Sequence, residues 1–128
     1  MATFDVTEEN YEEVAGRDGI LILDFWAEWC PACKQFAPTY EAASDANPDI
    51  AFGKVDVDAA TKVADSFGIR SLPTLAVFRD QVGVYLQAGA LPKPDLEELL
   101  KMVRELDMDQ VRADIAKNAE GVGHAHHH

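Results

Sequence analysis

Cys30 and Cys33 are the only cysteines in the 128-residue chain, and Pro31 and Ala32 alone separate them. A thiol pair at this spacing can bind metal, form a structural cross-link or exchange disulfides. A structural zinc ion takes four ligands, but the chain has no third cysteine and its four histidines fall at His124 and His126–His128. A purely structural disulfide closing so short a loop would contribute only about 2 kcal/mol in the chain-entropy model, and a chain of this length has little need of it. Exchange fits best, because the pair stands where a buried strand passes into a helix. At a helix N-terminus, unpaired backbone N–H groups and the positive dipole end stabilise a thiolate, the reactive form of cysteine. Cys30, at the cap, is expected to be the exposed nucleophile, with Cys33 one turn further in. Ala32 has the N–H that Pro31 lacks, so the N–H groups of Ala32 and Cys33 are both expected to donate to the Cys30 thiolate. That would raise the reduction potential by about 30 mV.

Several elements must position this pair. Residues 20–25, Ile-Leu-Ile-Leu-Asp-Phe, form a continuous apolar run of strand length, as in a strand buried on both faces. After the cysteines, Phe36, Ala37, Tyr40 and Ala43 mark one apolar helix face, and Asn47-Pro48 ends the helix. A second strand is predicted over 52–57. A helix carrying Ala60, Val63, Ala64 and Phe67 follows it and stops at Gly68. Residues 74–78 and 82–86 read as a hairpin. Leu96, Leu99, Leu100, Val103 and Leu106 then pattern an amphipathic helix with Asp95, Glu97 and Glu98 in its first turn. The order predicts an α/β fold, a sheet covered by helices. A further helix is expected over 107–119. Asp107 and Gln110 have capping-box spacing there, and Met108, Val111, Ile115 and Ala119 form a narrow stripe expected to pack on the body.

Composition narrows the function classes. One domain is the default at this length, and 48% hydrophobic residues suffice for a packed core. The formal net charge of −12 opposes nucleic-acid backbones and anionic lipid surfaces. No apolar run approaches the roughly 20 residues that span a bilayer. The opening MATFDVTEEN lacks the pattern of a secretory signal, so a cytoplasmic location is expected. The histidine-containing end, 120–128, resembles a purification tag or a solvated tail.

The segment Asp24-Phe-Trp-Ala-Glu-Trp-Cys-Pro-Ala-Cys33-Lys resembles the active-site segment of thioredoxins. The likeness continues through Pro38, Lys54, Gly68-Ile-Arg-Ser-Leu-Pro-Thr74 and Gly89-Ala-Leu91, and it covers residues 4–106. It implies a thioredoxin fold, a central mixed sheet flanked by helices, over a domain at 1–106. It also implies reduction of protein disulfides: Cys30 attacks and Cys33 resolves the mixed disulfide. No metal or organic cofactor is implied. The partners implied are disulfide-containing client proteins and a thioredoxin-reductase-type electron donor, with the protein itself a monomer. Asp24 shares a strand face with Ile20 and Ile22; burial there raises a carboxyl pKa and suits it to hold the proton that Cys33 must lose. Lys54 is expected to bring its ammonium near Asp24. Pro73 corresponds to the family's cis-proline, where the backbone of Leu72 pairs with an extended substrate. Trp29 and Gly89 map onto the family's apolar docking surface, and Trp26 is expected in the core.

The chain departs from the family pattern at three places. Pro31-Ala32 replaces the common Gly-Pro. Asp80-Gln81 stands at a turn where glycine is usual, so the bend is expected to move toward Gly83. The chain also continues past Leu106. A more oxidising exchanger, an oxidase or isomerase, is the alternative within the same chemistry. A binding module without redox work is the alternative outside it.

Overall fold

The structure, a computed structural model, describes residues 2–125, with side chains in the last helix as far as Asn118. Of the expected tail, the backbone is helical to Ala125, and His126–His128 lie outside the described residues. Five strands form one mixed sheet in the order β1-β3-β2-β4-β5. They are β1 (Thr3–Asp5), β2 (Ile20–Trp26), β3 (Ile50–Asp56), β4 (Thr74–Arg79) and β5 (Val82–Ala88). β3 runs parallel to both β1 and β2, while β4 is antiparallel to β2 and to β5. The helices are α1 (Tyr11–Ala15), α2 (Pro31–Ala46), α3 (Thr61–Ser66), α4 (Lys93–Glu105) and α5 (Met108–Ala125).

Alternation along β2 explains its unbroken apolar run. Ile20 and Ile22 face a layer built on Phe36 and Tyr40 of α2 and on Leu96, Leu100 and Val103 of α4. Leu21, Leu23 and Phe25 face the opposite layer, with Val63 and Ala64 of α3. Both faces of the strand are covered, which is why it carries no polar residue but Asp24. The Tyr40 hydroxyl fastens α2 to the sheet by donating to the carbonyls of Ile22 (3.0 Å) and Gly53 (2.7 Å). β1 and α1, only three and five residues long, were not expected from the sequence.

The hairpin bends at Asp80-Gln81, and the expected move toward Gly83 does not occur. Gly83 lies inside β5 opposite Phe78, beside a register shift. Asp80 and Gln81 both take positive φ, 51° and 70°, a conformation that suits two-residue hairpin loops and disfavours side chains. Their side chains tie the turn to the loop before β2. Asp80 Oδ1 accepts from the Gly19 amide at 2.8 Å, and Gln81 Nε2 donates to the Gly16 carbonyl and to Asp18.

α5 starts where expected, with Asp107 Oδ1 accepting from the amides of Asp109 and Gln110. The reciprocal half of the capping box is replaced by a Gln110 Nε2 bond to Asp114. Among its described members the stripe packs at its root, with Met108 buried, Val111 half-buried and Ile115 exposed; the Ala119 side chain lies outside the described residues. Upstream of this junction, Arg79 Nη1 donates to the carbonyls of Val103, Arg104 and Leu106, closing the end of α4.

Candidate functional site

Cys30 and Cys33 are joined as a disulfide, with Cα atoms 5.3 Å apart. Cys30 is the extended N-cap residue of α2 (φ −97°, ψ 106°) and Pro31 opens the helix, where a missing N–H costs nothing. The Cys33 amide donates to Cys30 Sγ at 3.1 Å. Among the described residues that is the one backbone donor to this sulfur in the disulfide; the second bond expected from Ala32 belongs to the thiolate of the dithiol form. A cap side chain ordinarily satisfies one of the first free N–H groups, and the third helical position takes it here. The expected exposure of Cys30 is not found in the disulfide. Cys30 is 5% and Cys33 3% exposed, both packed with Ala27 against Trp26, Val57 and Leu72. In this disulfide state the helix position, not exposure, distinguishes the two sulfurs.

Asp24 lies on the same face as Ile20 and Ile22, is 1% exposed, and leaves Oδ1 without a hydrogen-bond partner. Burial pushes its pKa up from 3.8 to about 7, partly opposed by the charge of Lys54. Lys54 stands opposite Asp24 in the β2–β3 register. Its ammonium rests over the Trp26 ring, 4.8 Å from the centroid, and no ion pair within 4.0 Å joins it to Asp24 among the described residues. Asp24, Cys33 and Lys54 share one cavity of about 450 Å³. Tyr40 borders Asp24 from α2. Its hydroxyl pKa is raised well above the ordinary value by burial, with the charges of Asp24 and Glu41 adding to the effect.

The Leu72–Pro73 peptide bond is cis. Leu72 packs on the cysteine cluster, and the Pro73 carbonyl accepts from the Gly89 amide at 2.8 Å. Gly89 takes φ 109°, in the region that favours glycine. Trp29 is 67% exposed and its indole N–H donates to Asp58 Oδ2 at 2.9 Å. Trp26, expected in the core, is only half-buried, because it ends β2 and lines the same cavity as Asp24 and Cys33. The end of β2, the start of β4 and the end of β5 meet at one edge of the sheet. Asp24, Cys33 and Lys54 meet in the cavity, Cys30 and Leu72 pack with Cys33, Gly89 bonds to Pro73 beside Leu72, and Trp29 precedes Cys30 in the chain with its own partner at Asp58.

Sequence reasoning missed Asp58, which holds Trp29, and Tyr40 as a neighbour of Asp24. Asp58 is one of several acids in an acidic chain, and only its partner sets it apart. Among the described residues, no group of three or more His, Cys, Asp or Glu side chains could hold a metal ion.

A family model described as Thioredoxin matches residues 2–102. A Streptomyces coelicolor protein named "Putative thioredoxin 2" is 46% identical over 122 residues, covering 95% of this chain and 91% of that protein. The thioredoxin of Staphylococcus haemolyticus is 40% identical over 103 residues, covering 78% of this chain and 96% of that protein. The crystal structure of Malassezia sympodialis thioredoxin superposes with a TM-score of 0.71 at 30% identity, covering 80% of this chain and 90% of that one. The Streptomyces match spans too much of this chain to leave out α5.

Proposed function

The chain belongs to the thioredoxin family and is a dithiol:disulfide oxidoreductase, and from that premise we propose how its site residues divide the work of reducing client disulfides. The observation that carries the reading is Cys30 at the cap of α2, with the Cys33 amide aimed at its sulfur. In the dithiol form the same N–H and the helix dipole hold Cys30 as a thiolate. The thiolate attacks a client disulfide, one client sulfur leaves, and a mixed disulfide forms at Cys30. Cys33 gives its proton to Asp24 and attacks Cys30 Sγ. The second client sulfur leaves with the electron pair, and Cys30 and Cys33 are left as the disulfide.

Asp24 suits the role of base because it lines the Cys33 cavity and titrates near neutrality, where a group can both take and return a proton. Lys54 sets how readily it does so by opposing the burial effect. The Leu72 backbone beside the disulfide is the strand-like edge on which an extended client segment pairs. Trp29 and Gly89 flank it as the docking surface. The regenerating partner is a thioredoxin-reductase-type donor and the compartment is the cytoplasm. No helix among the described residues is long and apolar enough to cross a membrane. We read residues 1–106 as the domain and α5 as an appendage, in keeping with a family match that ends at 102.

Turbidity from insulin reduction tests this function. The protein should accelerate it catalytically with NADPH and a thioredoxin reductase, and without the reductase only stoichiometrically after prior reduction to the dithiol. Equal rates with and without this protein would refute the reading.

A further inference from the structure

Asp24 is enclosed on three sides. β3 places Lys54 opposite it, β4 places Leu75 opposite it, and Tyr40 of α2 closes over the face with its hydroxyl already donating to two carbonyls. The remaining side is the cavity of about 450 Å³, large enough for several water molecules. Trp26 and Ala37 form its apolar walls, and Glu28 and Lys34 also line it. Those two carry the exposed side chains, 80% and 60%, and an ion pair of 3.6 Å joins them. They therefore stand at the mouth, while Asp24 and Cys33 stand at the floor.

The charged and titratable groups around Asp24 are thus Lys54 from β3, Cys33, Lys34 and Tyr40 from α2, and Glu28 from the loop between β2 and α2. An ammonium has no lone pair with which to accept a proton, and the Tyr40 hydroxyl is committed. Glu28 is the remaining carboxylate on the cavity, and Lys34 fixes it across the opening.

We propose that Glu28 is the positioning residue through which Asp24 exchanges its proton with bulk solvent along this cavity. The inference rests on the reading of Asp24 as the base for Cys33. The proton leaves Cys33 Sγ for the Asp24 carboxylate, passes by cavity water to the Glu28 carboxylate, and is lost to solvent. The electron pair left on Cys33 forms the bond to Cys30, and the client sulfur departs with the pair of the broken bond.

The first measurement needs neither client nor reductase. Carbon-13 NMR of the Asp24 carboxyl in the disulfide form gives both its titration midpoint and its proton-exchange rate. In weak buffer, Glu28→Gln should slow exchange by about tenfold, less than the full contribution of a general acid–base group because water still reaches the cavity. Imidazole at high concentration should restore it, and Lys34→Met, which frees Glu28 from the mouth, should give a smaller loss. Unchanged exchange in Glu28→Gln overturns the proposal. A moved midpoint with unchanged exchange also overturns it, since Glu28 would then act only by its charge. Asp24→Asn separates the two layers. If it leaves the rate and pH profile of Cys33 attack unchanged, the reading of Asp24 as base fails; if it alters them while Glu28→Gln leaves exchange alone, only the relay fails.

Discussion

Replacing Asp24 with Asn should make the protein more stable at alkaline pH and confer no such gain in acid. Burial lifts the folded-state pKa of Asp24 from 3.8 to about 7. The folded chain thus keeps a proton over a range in which the unfolded chain has released it. The group's contribution is fully present below pH 3.8, falls as pH rises through that window, and is lost above pH 7. At about 1.4 kcal/mol for each pH unit of the gap, the loss reaches about 4 kcal/mol, an upper figure because Lys54 and cavity water relax around the charge. Asn cannot ionise, so its stability lacks this slope. It brings its own cost of about 1–3 kcal/mol for an amide in a site where Oδ1 already lacks a partner, but that cost does not vary with pH. Urea unfolding of the disulfide form at pH 4 and pH 9 isolates the ionisation effect. The Asn variant minus wild type should move in favour of the variant by about 2–4 kcal/mol between the two conditions. An equal difference at both pH values would refute a buried, charge-penalised Asp24.

Three further outcomes follow from the same geometry. Cys33→Ser should accumulate reducible client adducts on Cys30 in a pull-down, and Cys30→Ser should not; the reverse pattern would exchange the roles of the two sulfurs. Pro31→Gly combined with Ala32→Pro should lower the reduction potential in a glutathione titration by about 30 mV, because it removes the Ala32 N–H expected to donate to the Cys30 thiolate. The same or a higher potential would show that Ala32 does not reach the thiolate. Arg79→Met should cost about 2–3 kcal/mol of stability by freeing three carbonyls at the end of α4, and an unchanged melting temperature would show that solvent replaces those bonds.

The chemistry was legible because it depends on residue types held at the ends of strongly patterned elements. The run at 20–25, the helix after Cys33 and the spacing of Leu96, Leu100 and Val103 each bury a face that the sequence displays, and burial fixes their position. Once β2 and β3 are parallel and β4 antiparallel, Asp24, Lys54, Pro73 and Gly89 must reach the cysteine edge. What escaped reading depends on a single partner brought from elsewhere in the chain. Asp80 and Gln81 accept positive φ because Gly16, Asp18 and Gly19 bond their side chains, a contact more than sixty residues away in sequence. α5 shows the same limit from the other side. Its apolar stripe is real, but a stripe reports only that a face can be buried, and Ile115 shows that the body buries the first turn alone. The cavity beside Cys33 belongs with these cases, since Glu28 becomes a candidate for proton exchange only through its position above Asp24, which no spacing in the sequence encodes.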